Sequence, residues 1–156
     1  MPDDLYERDI LTWSEQQADL LRRVAQGERV NGVDWSHVIE EIGDVGVSEL
    51  NAVRGHLHQA IIHLLKFHLW PDDPAELHWR IELDVFQANA SSRFVPSMRQ
   101  RIELDLVYAK SRARLARLVA DNPRVKTIPG TCPWTLDELL NGDPDALLVT
   151  LAEATR

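Results

Sequence analysis

The chain has 156 residues, 44% hydrophobic and 27% charged, with a formal net charge of −8. That length suits one domain around one core, and the sequence has no run of about 18 apolar residues that could span a membrane. The acidic balance disfavours a general nucleic-acid binder, because phosphate contacts need a basic footprint.

The apolar spacing is helical almost throughout, with no alternating strand pattern and no internal repeat. A first helix is predicted from about Leu5 to Gln26. Tyr6, Ile10, Trp13, Gln17, Leu20, Leu21 and Val24 fall on one side of it, and Gly27 ends it. After a turn at VNGVD, Asp34 has the right chemistry to cap a second helix running from Trp35 towards Trp70. Its predicted buried stripe is Val38, Ile42, Val45, Val53, Leu57, Ala60 and Leu64. Gly43 and Gly46 each cost about 1 kcal/mol relative to alanine there. They mark a bend, a break into two helices, or a close crossing with a neighbour. Pro71 and Pro74 stop the helix.

A third helix is predicted from Pro74 or Ala75 to Ser91-Ser92, burying Trp79, Leu83, Phe86 and Ala90. The fourth is predicted from about Pro96 to Ala120, with a small stripe (Ile102, Leu106, Ala109, Ala113, Ala116, Ala120) and a large one (Leu104, Val107, Leu115, Leu118). Two apolar sides imply packing between neighbours, and the spacing of Arg99 to Glu103 and of Arg101 to Asp105 suits pairs across one turn. Thr135 and Glu138 form a capping box for a short helix closed by Asn141-Gly142. Asp143-Pro144 then opens a last helix. The expected fold is all-α: a single domain with a bundle of four main helices over about 5–122 and a short C-terminal helical extension over 123–156.

The acidic, polar start MPDDLYERD lacks the basic and apolar regions of a signal peptide, so a cytoplasmic location is expected. Cys132 is alone, which precludes an internal disulfide and agrees with a reducing compartment. Charge is segregated: residues 93–126 carry nine basic side chains against three acids. Opposite charge on two parts of one chain implies that they face each other.

HLHQAIIHLLKFHLW places His56, His58, His63 and His68 in one predicted helix. His56 and His63 align, but seven residues separate them by about 10.5 Å along the axis, too far to share one zinc with bonds of about 2.1 Å. They read instead as histidines flanking the apolar stripe. His37, Glu41 and Asp44 share a face at steps of four and three, with Ser48 a turn further, and form a weak candidate for a divalent ion. Acids early in a helix also complement its dipole without any ligand. The sequence has no Glu-x-x-His pair, His-Glu-x-x-His, phosphate loop or dinucleotide fingerprint. No cofactor is required by the sequence and no catalytic residue is assigned. Cys132 sits near a helix start but has no histidine partner legible in sequence.

Taken together, Tyr6-Glu7-x-Asp9 with Trp13 and Gln17, Asp34-Trp35, Ile39-Glu40-Glu41-Ile42, Gly46-x-Ser48-Glu49, His63-Leu64-Leu65-Lys66 and Cys132-Pro133-Trp134-Thr135-Leu136 resemble a bacterial family, the domain of unknown function family 29. The resemblance spans about residues 5–140 and implies a small helical bundle with no established activity. It makes Glu40, Glu41, Ser48, Glu49, His63 and Lys66 the candidate polar site, joined by His56, which aligns with Glu49 and His63, although their spacing splits them over at least two helix faces. The expected function is a non-catalytic interaction or regulatory module, with a protein partner or self-association. The alternative is a metal-dependent or hydrolytic enzyme with a site between helices. Nucleic-acid binding through the basic fourth helix ranks below both.

Overall fold

The structure, a computed structural model, describes residues 2–156, with side chains from Leu5 onward. Among the described residues there are seven α-helices and no strand: α1 Pro2–Arg8, α2 Ile10–Ala25, α3 Trp35–Leu69, α4 Glu76–Arg93, α5 Leu104–Leu118, α6 Leu136–Asn141 and α7 Pro144–Ala154. The all-α class read from the sequence holds. Single 3-10 turns lie at Pro96–Met98 and Pro123–Thr127. No described helix is long and apolar enough to cross a membrane.

Two predicted helices have different bounds. The first divides at Asp9, whose carboxylate accepts from the Thr12 amide at 3.0 Å and from the Thr12 hydroxyl at 2.7 Å. A short acidic side chain can capture a backbone amide and start a new helix within an otherwise apolar period. The fourth begins only at Leu104, because Pro96–Met98 is a 3-10 turn. Arg99 and Arg101 therefore precede the helix, and their predicted turn-spaced pairs with Glu103 and Asp105 do not form. Arg99 pairs instead with Asp137 at 2.8 Å. The second predicted helix is continuous: Gly43 and Gly46 lie inside one α-helix of 35 residues.

The chain divides into two compact units, residues 1–47 and 48–156, with the boundary inside α3. The first unit buries little; among its described residues the buried side chains are Trp13, Gln17 and Val38. Gly27 and Gly32, with φ of 86° and 96°, take the left-handed turns that join α2 to α3. Ile42 and Val45, predicted for the buried stripe, are 69% and 64% exposed. The reason lies in how the unit assembles: α1 and α2 meet α3 through the side that carries His37 and Glu41. Val38 is covered, whereas Trp35, Ile39, Ile42 and Val45 are left bare.

The second unit holds the core. Leu50, Val53, Leu57, Leu64 and Leu65 of α3 are buried with Leu83 of α4, Tyr108 and Leu115 of α5, Leu139 of α6 and Leu147 of α7. α5 buries only one side, Val107, Tyr108, Ser111 and Leu115. Its alanine stripe lies largely in water, with Ala109, Ala113 and Ala120 exposed, so the predicted close neighbour on that side is absent. Leu106 and Leu118 are also exposed.

The C-terminal segment is fastened by local chemistry that the sequence displays. Thr135 and Glu138 make the reciprocal capping box, and the Asp143 carboxylate accepts from the Asp145 and Ala146 amides to cap α7. The Trp134 indole donates to the Leu147 carbonyl at 2.9 Å. Gln87 of α4 is buried, and its amide donates to the Leu139 and Gly142 carbonyls at 3.0 and 3.1 Å. At Gly142 a Cβ would run into the Glu138 carbonyl that accepts the Gly142 amide.

Gln87→Leu removes both donors while keeping the volume, and stranded buried acceptors cost about 1–3 kcal/mol. The urea midpoint of this variant is expected to fall accordingly. An unchanged midpoint would show that water satisfies these carbonyls.

Candidate functional site

The first polar constellation belongs to the first unit. Tyr6 stacks on the His37 ring, with centroids 3.9 Å apart and planes at 16°, and its hydroxyl donates to Glu41 at 2.5 Å. The His37 Nδ1 meets the Asp34 carboxylate at 2.6 Å. The Trp13 indole donates to the same oxygen at 3.2 Å, and the Asp34 amide donates to Gln17 at 2.8 Å. The hydrogen bond from His37, helped by Trp13, holds the Asp34 carboxyl below its usual range despite desolvation. Donation to Glu41, then desolvation and the Glu41 charge, push the Tyr6 phenol up to about 12. These contacts work as a clasp for the start of α3.

This arrangement also places the weak metal candidates. His37 is turned to Asp34 and Glu41 to Tyr6, whereas Asp44 is exposed. Among the described residues no group of three or more His, Cys, Asp or Glu side chains is placed to hold a metal ion.

The second constellation lies along α3 and α4. Both Glu49 carboxylate oxygens accept from Arg93 at 3.0 Å. His56 lies beside Phe86, with ring centroids 6.3 Å apart. His63 is buried, with Nδ1 donating to the Gln59 carbonyl at 2.7 Å and Nε2 meeting Glu82 at 2.6 Å. The bond from His63, together with the nearby charges of His63, His78 and Lys66, keeps the Glu82 carboxyl below its usual range. The Lys66 ammonium lies 5.9 Å from the Trp79 ring centroid. Glu40 and Ser48 are exposed. The candidate residues thus have separate partners: Glu41 in the clasp, and Glu49, His56, His63 and Lys66 spaced along the α4-facing side.

A third arrangement escaped the sequence reading. Asn51, Arg54, Gly55 and His58 on one side of α3 face Glu103, Leu106, Val107, Lys110 and Arg114 across a cavity of about 570 Å³. Ser111 donates to the Val107 carbonyl at 2.8 Å, so its hydroxyl oxygen accepts from His58 Nδ1 at 2.7 Å. The His58 Nε2 is then an acceptor. Burial, then the Arg114 charge, lowers the His58 pKa. The Arg54 guanidinium is fixed by donating to the Arg101 carbonyl and to Asn51. The available signal was the spacing 51, 54, 55, 58, one face of a helix with a glycine in it.

Cys132 is half-buried and donates to the Trp134 carbonyl at 3.3 Å, and burial pushes its thiol up. That is the opposite of an activated nucleophile.

These features define an all-helical protein built on one long helix, with a polar clasp at its start and a basic cavity further along. The chain belongs to the family described as Domain of unknown function DUF29, whose pattern matches residues 5–143. A crystal structure of an alpha-helical protein of unknown function from Rhodospirillum rubrum ATCC 11170 is similar, with a TM-score of 0.67 and 24% identity. The match covers 94% of this chain and 96% of that one. That likeness establishes the fold. No curated protein matches the chain.

Two titrations test these environments. The chain has two tyrosines, and burial pushes Tyr108 up to about 12, as donation to Glu41 does Tyr6. Absorbance at a wavelength that reads tyrosinate is therefore expected to stay flat through pH 10, where free tyrosine is half ionised, and Tyr6→Phe is expected to halve the later rise. A tyrosinate signal at pH 10 in the folded protein would contradict the clasp. For Glu82 the folded pKa is depressed, so its stabilising contribution is full above the ordinary glutamate range and is lost as pH falls through the folded value. The urea midpoints of wild type and Glu82→Gln should differ most at neutral pH and converge in acid.

Proposed function

We propose that the protein is a non-catalytic helical interaction module that self-associates through the first half of α3. The observation that carries this is the bare stripe Trp35, Ile39, Ile42 and Val45, each more than half exposed. Each leaves on the order of 100 Å² in water, so the stripe offers roughly 400 Å² of apolar surface, the scale at which patches mark interaction sites. With a polar rim on each of two copies it approaches the roughly 1,000 Å² total of a specific interface.

A second copy is the occupant that fits. Glu40 and Asp44 lie on the other side of α3, and Glu41, one turn before Val45, is held by the Tyr6 hydroxyl, so a two-fold pairing of stripe with stripe keeps these carboxylates off its centre. Gly43 and Gly46 carry no side chain to hold a facing helix away. A 47-residue unit with three buried side chains among its described residues also has little core of its own, and units of that size usually need association or another staple. The engaged histidines, the raised thiol and the clasp support the non-catalytic part of the reading. A cytoplasmic setting accords with the single unpaired cysteine.

Light scattering behind gel filtration tests this. The wild type is expected to elute as a concentration-dependent dimer, and the Ile39→Asp, Ile42→Asp variant as a monomer with unchanged helix content by circular dichroism. A wild type that is monomeric up to high micromolar concentration would sink the self-association reading.

A further inference from the structure

From the cavity between α3 and α5 we infer a binding site for a small phosphate monoester with an apolar or heteroaromatic body. It goes beyond the interaction reading and uses only residues of the second unit.

The site's charge is the first ground. Arg54, Lys110 and Arg114 line the cavity against the single carboxylate of Glu103. Three arginines elsewhere in the second unit meet acids, Arg80 with Asp145, Arg93 with Glu49 and Arg99 with Asp137; Arg101, Arg117 and Arg124 are exposed without one among the described residues but do not line the cavity. Lys110 and Arg114 have no acidic partner among the described residues, although the chain carries a net charge of −8 and has acids to spare. A net excess of two positive charges matches a phosphate monoester, which carries about −1.5 to −2 at neutral pH. Guanidinium groups suit its oxygens in shape as well as charge.

Shape is the second ground. A volume of about 570 Å³ lies within the roughly 300–1,000 Å³ of small-molecule sites and is larger than inorganic phosphate needs. Leu106, 47% exposed, supplies an apolar wall where α5 carries no covering neighbour. Gly55 forms part of the α3 wall, and a Cβ built there meets nothing within 4 Å. No packing contact requires a glycine at that point; its absent side chain keeps the cavity open. His58, fixed through Ser111, offers Nε2 to a hydroxyl or ring N–H of the ligand's body.

Isothermal titration of the full chain with adenosine monophosphate and with phenyl phosphate tests the site, with adenosine and phenol as controls lacking the phosphate. At least one phosphate is expected to bind once per chain while both controls are silent. Lys110→Gln with Arg114→Gln should weaken binding at least tenfold. Gly55→Leu should abolish it without lowering the melting temperature, since it fills the cavity and replaces a helix glycine. The Ile39→Asp, Ile42→Asp variant should bind as the wild type does, which separates this site from the dimer reading. Absence of binding by both phosphates, or binding that survives both cavity variants, overturns the inference. So does a single-stranded DNA oligomer that binds more than a hundredfold tighter through the same lysine and arginine, which would make the cavity part of a polyanion surface.

Discussion

An unbroken α-helix fixes the direction of every side chain along it, at about 100° per residue, and α3 holds that constraint over 35 residues. Within the second unit each surface of α3 is thereby set once, from Leu50 to Leu69. The line through Leu50, Val53, Leu57 and Leu64 is the inner wall of the second unit. Rotated to one side lie Glu49, His56 and His63, which meet Arg93, Phe86 and Glu82 of α4. Rotated to the other lie Asn51, Arg54, Gly55 and His58, which face α5 across the cavity. Within the first unit, Trp35, Ile39, Ile42 and Val45 form an apolar stripe that is exposed.

Features that depend on a few neighbouring residues were legible in sequence. The capping box at Thr135 and Glu138, the Asp143-Pro144 start and the proline stop after Trp70 all appear where local chemistry puts them. Errors arose where two local signals competed. At Asp9 an apolar period argued for continuity while a carboxylate captured the Thr12 amide. At Pro96 the same proline that can open an α-helix opened a 3-10 turn instead. Ile42 and Val45 were misjudged for a different reason. Periodicity shows that a face is apolar, not that this chain covers it. The candidate site was less legible still, because Arg54 and Lys110 meet only through the packing of two distant helices.

The polar residues that carry the family resemblance now have physical roles. Tyr6, Asp9, Trp13, Gln17, Asp34 and Glu41 form the cap and clasp of the first unit. Cys132, Trp134 and Thr135 anchor the segment that enters α6. Such buried and half-buried networks are costly when incomplete and specify one arrangement when every member has a partner. A unit with so few buried apolar side chains depends on that kind of directional bonding to define how its helices meet.

The glycines of α3 connect the two functional readings. A glycine inside a helix costs about 1 kcal/mol relative to alanine, and Gly43, Gly46 and Gly55 all stand inside this one. An added Cβ at any of the three meets no other atom within 4 Å, so none is explained by crowding within the chain. Gly43 and Gly46 lie beside the exposed stripe, and Gly55 lies in the cavity wall. Alanine at each would strengthen the longest helix of the protein at no steric cost to the isolated chain. What the three positions share is open space on the outer side, which leaves bare backbone accessible to a facing helix at the first two under the proposed pairing and to a ligand at the third under the proposed cavity site.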